Sequence, residues 1–266
     1  MRLFAQDSLA FAAADSNQSV VQTYLASPGS EDEKIMELIS LAKMDQSKGH
    51  NLEAIHKIRI ALILEQQSGK PSKATYQLNL FAAEIVRTFD PEYALEFYKK
   101  ATAISDQLAE IPDKDRFVLY TNRAGMHNAV NGKADAILWF RRAIVMAEKD
   151  NPISMVSAFN NVGVFYKDEN QSDSARFYFQ KALVQLSDPE NNISLWCAIR
   201  DNLAQLDMRD HHFEKAYPIF LYNDSVYEKS KLSGFKYLAN KVRLLEAMQG
   251  LNLPGIQDTI ARLKPY

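Results

Sequence analysis

The chain has 266 residues, with 31 Lys and Arg against 33 Asp and Glu and a formal net charge of −2. The opposite charges are interspersed, so no basic stripe is present of the kind nucleic-acid binding needs, and no apolar run reaches the roughly 18 residues of a membrane span. The single cysteine, Cys197, excludes an intramolecular disulfide, while 47% hydrophobic residues with only 9 Gly describe a chain able to bury a long helical core with few breakers.

Residues 1–30 are expected to hold a partial repeat or capping segment, with short helices at 8–14 and 17–26. The opening Met1-Arg2-Leu3-Phe4-Ala5-Gln6-Asp7 has no apolar stretch long enough for an intact secretory signal, yet Leu3-Phe4-Ala5 before Gln6-Asp7 has the character of the end of one. A trimmed signal would place the protein in the periplasm or another extracytoplasmic space, and an ordinary helix lead-in would leave it in the cytoplasm. Ser27-Pro28-Gly29-Ser30 then breaks the chain.

From residue 31 to 233 a spacing recurs five times: a small residue, an alanine twelve positions on, and a bulky residue four beyond that. The triplets are Ala42/Ala54/Ile58, Ala82/Ala94/Tyr98, Ala124/Ala136/Phe140, Gly163/Ala175/Phe179 and Ala204/Ala216/Phe220. The middle members at 54, 94, 136, 175 and 216 give periods of 40, 42, 39 and 41 residues, in the range of helical repeat arrays. A small residue lets two helix backbones approach, and the bulky residue one turn after the alanine fills the groove beside it. In the first four copies an alanine follows seven residues after the second small residue (Ala61, Ala101, Ala143, Ala182), and Asn223 stands there in the fifth.

Helix starts are expected at Asn51, Asp90 and Ser172, whose side-chain oxygens suit unpaired backbone donors. Breakers recur at Ser68-Gly69-Lys70-Pro71, Ile111-Pro112-Asp113, Asp150-Asn151-Pro152 and Ser187-Asp188-Pro189, short enough for consecutive helices to pack antiparallel. Pro218 is expected to kink the second helix of the fifth copy. Residues 234–266 lack the small-residue signature and read as a degenerate capping pair, roughly 234–249 and 254–263.

The best copy runs Phe159-Asn160-Asn161-Val162-Gly163-Val164-Phe165-Tyr166, then Ala175, Phe179, Ala182 and Pro189. It resembles a tetratricopeptide repeat (TPR), although these units are longer than the family's 34 residues. The resemblance covers about residues 31–250 and implies an all-α, right-handed superhelical solenoid of antiparallel helix pairs. It also implies a surface, formed by the first helix of each pair, that binds an extended peptide or a partner helix. Asparagines recur at one phase of those helices, as Asn79, Asn122, Asn160, Asn161 and Asn202, and an amide that both donates and accepts suits a peptide backbone. Arg87, Lys167 and Arg209 follow near the helix ends and suit a carboxylate. Ile39, Thr121 and Asp201 stand where the family's dicarboxylate-clamp members want polar or basic groups, which disfavours chaperone-tail binding.

No constellation points to chemistry. The five histidines, His50, His56, His127, His211 and His212, do not pair at metal-ligand spacing, and no glycine motif suits a phosphate. No catalytic residue, metal or cofactor is expected. Trp139 and Tyr178 lie one residue before core positions, and at least one of them is expected to be buried. The expected function is a non-enzymatic protein- or peptide-binding scaffold, the ligand-sensing module of a bacterial signal-transduction protein. A cytoplasmic regulator switched by a small signalling peptide is the alternative, and a helical enzyme a remoter one. Neither nucleic acid nor a membrane span is expected, and two copies are expected to be able to associate through an uncapped solenoid end.

Overall fold

A computed structural model describes residues 22–24, 26–229 and 235–256. Among the described residues eleven helices are bounded and no strand occurs: α1 (Glu31–Ser47), α2 (Asn51–Ser68), α3 (Lys73–Val86), α4 (Pro91–Gln107), α5 (Asp113–Ala129), α6 (Lys133–Asp150), α7 (Pro152–Asp168), α8 (Ser172–Gln185), α9 (Ile193–Arg209), α10 (Phe213–Lys229) and α11 (Phe235–Gly250). The fold is all-α, and its helices follow one another as pairs in solenoid-like order. The chain divides between Lys149 and Asp150 into two compact units. In the first, α1 packs on α2 and α3, and α4 on α3 and α5. In the second, α8 packs on α7 and α9, and α10 on α9 and α11.

The repeated triplets form the core. All fifteen members are buried, and the additional alanines 61, 101, 143 and 182 are buried with them. Gly163 shows why the first member must be small: a Cβ placed there would stand 2.5 Å from Cε1 of Phe179, the bulky member of its own copy. Around that contact Val156, Ala175, Ala182, Leu186, Ile199 and Leu206 close the core of the second unit. A neighbouring cluster of Ala204, Ala216, Phe220, Leu244, Ala247 and Met248 joins α9, α10 and α11. Asn223, the departure at the fourth position of copy five, is fully buried and donates through Nδ2 to the Cys197 carbonyl (3.3 Å).

The turns inside four of the five pairs share one geometry, and the α3–α4 turn at 87–90, which ends in the Asp90 cap, is the exception. A residue in the left-handed region stands at Gly49, Asn131, Asn170 and His211, each seven residues after its copy's small residue, and again at Asn252. The next N–H in each case reaches back five residues to a helix carbonyl: His50 to Asp45, Gly132 to His127, Gln171 to Tyr166, His212 to Asp207 and Leu253 to Met248, at 2.7–2.9 Å. This is the Schellman closure, which satisfies otherwise unpaired carbonyls. Counting back seven from Asn252 gives Leu245, so α11 ends like a first helix of a sixth copy but carries a large residue at the small position. Asn131→Val is expected to cost about 1–2 kcal/mol in urea unfolding, because a β-branched side chain is strained at φ 62°, and Asn131→Gly is expected to be close to neutral.

The caps differ from expectation at two places. Asp90 does cap α4, accepting from the Tyr93 N–H (3.0 Å) with Pro91 following. Asn51 and Ser172 do not cap; each is already the first helical residue, because His50 and Gln171 both close the preceding turn and begin the next helix. The caps that sequence reading passed over are Ser30 with Glu33, Ser72 with Thr75, and Asn151, which accepts from the Ser154 N–H. Helix α10 continues through Pro218, which lies near its start, where the missing N–H removes one bond only. The expected helix 8–14, most of 17–26, the signal-like opening and 256–263 beyond its first residue lie outside the described residues.

Candidate functional site

In the first unit, the first helices α1, α3 and α5 enclose a groove of about 390 Å³. Every residue of its wall comes from these three helices. Leu80 and Phe81 of α3 and Val118 of α5 give it an apolar floor, Lys43 of α1 and Asp115 of α5 mark opposite charges at its sides, and Gln77 and Glu84 present polar ends. The Lys43 ammonium lies 5.4 Å from the centre of the Phe81 ring. Gln77 is half-buried, and no described residue hydrogen-bonds its amide, which keeps both donor and acceptor uncommitted.

Glu84 ties three helices together at one end. It accepts from Tyr98 Oη (3.0 Å) and Asn122 Nδ2 (3.2 Å) at Oε1, and pairs with Arg87 at Oε2 (3.2 Å). Burial first, and then the Glu84 charge, hold the Tyr98 phenol well above its ordinary range. Arg87 and Asn122, both expected on the binding face, are thus brought together at the groove's rim by a shared carboxylate. Asn79 is placed differently: it is fully buried and bonds inward to Glu65 and to the Thr75 carbonyl (2.8 Å), so it presents nothing to a partner.

In the second unit the same phase of α7, α9 and α11 carries a polar chain. Lys167 Nζ donates to Asn202 Oδ1 (2.8 Å) and Gln205 Oε1 (2.9 Å). Asn202 Nδ2 donates to Asn160 Oδ1 (3.1 Å), and Gln205 Nε2 to Asp201 Oδ2 (2.7 Å), which also takes Arg243 Nη1 (2.8 Å). Burial lowers the Lys167 ammonium against the pull of Asp168, and burial raises Asp201 against the pull of Arg243. Arg209, exposed on α9, reaches over through Nη1 to the Lys167 carbonyl (3.0 Å) and Asn170 Oδ1 (3.2 Å) at the end of α7. Asn160, Lys167, Asn202 and Arg209 therefore serve helix-to-helix bonding, while Asn161, half-buried on the same helix, makes no side-chain hydrogen bond to a described residue.

That contrast is measurable. Asn202→Ala removes two bonds, one to a charged group, and is expected to cost about 1–3 kcal/mol of stability. Asn161→Ala is expected to stay within about 0.5 kcal/mol of the parent in the same urea titration.

The aromatics divide as well. Trp139 is buried, held between the guanidinium groups of Arg123 (3.6 Å from its ring centre) and Arg142 (4.5 Å). Burial, and then the Arg142 charge, push Arg123 down to about 10. Tyr178 is half-buried and stacks on Tyr166 at 5.5 Å. The groove residues Gln77, Leu80, Phe81 and Val118 were not singled out by sequence as binding residues.

No helix among the described residues is long and apolar enough to cross a membrane. No family model matches the chain, and no curated protein matches it. Among solved structures it is similar to the crystal structure of BtubC (BKLC) from P. vanneervenii, with a TM-score of 0.56, 12% identity, and coverage of 94% of this chain and 93% of that one. At that identity the likeness is one of fold.

Proposed function

We propose that this chain is a non-enzymatic scaffold of the tetratricopeptide-repeat kind that binds an extended peptide or protein segment on its first helices. The observation that carries the reading is the groove of α1, α3 and α5: apolar at Leu80, Phe81 and Val118, flanked by Lys43 and Asp115, and fitted with an uncommitted amide at Gln77. An extended strand offers backbone amides to Gln77 and alternate side chains to the apolar floor, which is how sequence-tolerant peptide recognition works. In the second unit Asn161 of α7, at the repeat position of Leu80 in α3, also carries an amide with no hydrogen bond to a described residue. In the first unit Schellman-closed turns end α1 and α5, and the Asp90 cap follows α3, so the helices that line the groove have defined ends. The role that follows is recognition within a signalling assembly of a bacterial cell.

Panning a random twelve-residue peptide library against the whole chain tests it. Enriched peptides should bind the parent protein and lose about tenfold or more affinity to Phe81→Glu, which places a charge on the apolar floor. Leu138→Ala, at an exposed position of α6, should leave them bound. Enrichment of no peptide, or of peptides indifferent to Phe81→Glu, would overturn the reading.

A further inference from the structure

The groove of α1, α3 and α5 carries two charged side chains that no described residue neutralises. Lys43 is exposed on α1 and makes no ion pair or hydrogen bond to a described residue; it meets the Phe81 ring, and the carboxylate two residues on, Asp45, is taken by Lys57. Asp115 lies half-buried in the first turn of α5. Its neighbour Arg116 is spent on the Leu108 and Ile111 carbonyls, and no described cation stands within ion-pair distance of the Asp115 carboxylate. The third charge of the wall, Glu84, is by contrast committed to Tyr98, Asn122 and Arg87. One cation and one anion of the wall are thus left for a ligand.

These two charges stand at separate places along one floor. Lys43 lies beside Phe81. Asp115 lies beside Tyr76, whose Oη donates to the Asp115 carbonyl (3.3 Å) and whose phenol is raised by burial and then by the Asp115 charge. Tyr76 is 2% exposed, so this bond fixes the start of α5 against α3. Gln77 to Phe81 takes up about 6 Å of the α3 axis, and the two charges flank that stretch. An extended segment advances about 3.3 Å per residue, so complementary charges on it fall roughly three to five positions apart, with the apolar floor between them.

We propose that the segment bound in this groove is of mixed charge, with an acidic side chain at Lys43, a basic one at Asp115 and an apolar stretch between them on Leu80, Phe81 and Val118. The inference rests on the groove being a peptide site and names the chemistry of its partner. Segments of uniform charge are selected against, since a second acidic side chain would meet Asp115 and a second basic one Lys43. Each attraction is modest because Lys43 is exposed, so reversing one charge of a bound peptide is expected to weaken it about threefold to tenfold at low salt.

Panning the random twelve-residue library on the parent, Lys43→Glu and Asp115→Lys chains tests the proposal. Peptides enriched on the parent should carry one acidic and one basic residue flanking an apolar stretch. Lys43→Glu should enrich basic residues in both places, and Asp115→Lys acidic residues in both. One parent peptide, and its version with the acidic residue changed to lysine, are then titrated by fluorescence anisotropy. The change should weaken binding to the parent chain about threefold or more and strengthen binding to Lys43→Glu, a rescue that lost packing cannot produce. Lys43→Glu, at an exposed position, should keep the parent's thermal transition and decides the matter alone if Asp115→Lys does not fold. Peptides that require Phe81 yet show the same charges on all chains, or one sign only on the parent, would overturn the mixed-charge assignment and leave the peptide groove standing. No enrichment, or enrichment indifferent to Phe81→Glu, would overturn both.

Discussion

Gly163→Leu should lose about 2–4 kcal/mol of unfolding free energy, the range for overpacking a core site that has no room to yield. The residue is a poor helix former inside α7, and on propensity alone any replacement but proline would stabilise the helix. Packing reverses the sign. Cβ alone would meet Phe179 at 2.5 and 2.6 Å, and that ring is fully buried among Val156, Ala175 and Ala182, with no space to swing into. Even Gly163→Ala should destabilise, and the leucine variant more strongly. A second substitution, Phe179→Leu, should recover part of the loss in Gly163→Ala, because the two sites share one contact and are not additive. Thermal and urea unfolding of the four proteins check this, and an unchanged transition in Gly163→Leu would remove the basis of the repeat register.

The second large effect is expected at the joint between α10 and α11. Lys241 is 2% exposed, with its ammonium 2.6 Å from Asp224 and 3.1 Å from Glu228. Burial pulls its pKa down, and the hydrogen bonds to Asp224 and Glu228 outweigh that and hold it above its ordinary value. Asp224→Ala leaves the buried ammonium with Glu228, which is half in solvent, and should cost about 3 kcal/mol. The sign with pH follows. In the parent the raised pKa gives stability present below the unfolded-state value and lost only as pH rises through the folded-state value. In the variant burial dominates and the folded-state pKa falls below the unfolded one, so its deficit should shrink as pH rises from 7 toward 10. Asp224→Leu combined with Lys241→Met should be less damaging than Asp224→Ala alone, since no charge is left behind.

The repeat was legible because a close helix crossing tolerates few residue types, and one substitution at Gly163 or Ala175 is felt directly. The turns were periodic in the sequence except in the second copy, where Phe89 stands, with Asn131, Asn170 and Asn252 at a shared phase, but His211 and Gly49 in the same place hid the pattern. Only a positive φ unites them. The caps at Asn51 and Ser172 came out one residue off for the same reason, since a Schellman turn leaves no separate residue to serve as cap.

The shared phase of the first helices was legible in the sequence, and the roles of the individual side chains on it were not. Asparagines at one helical phase point toward the next first helix as readily as toward solvent, and the choice depends on what stands one repeat away. Asn202 finds Lys167 and Asn160 there, Asn122 finds Glu84, and Asn161 finds no described partner. Arg209 carries the charge of a ligand-binding residue and is used to close a neighbouring helix. The groove residues Gln77 and Val118 carry no sequence signal, because their meaning comes from three helices converging from about forty residues apart along the chain.

Hydrogen–deuterium exchange of the whole chain with and without a peptide selected against it tests the central claim most directly. Added protection in peptides spanning α1, α3 and α5 around Lys43, Gln77–Phe81 and Val118, with α2, α4 and α6 unchanged, is the expected result. Protection confined to second helices, or none at saturating peptide, would contradict a binding surface built from first helices.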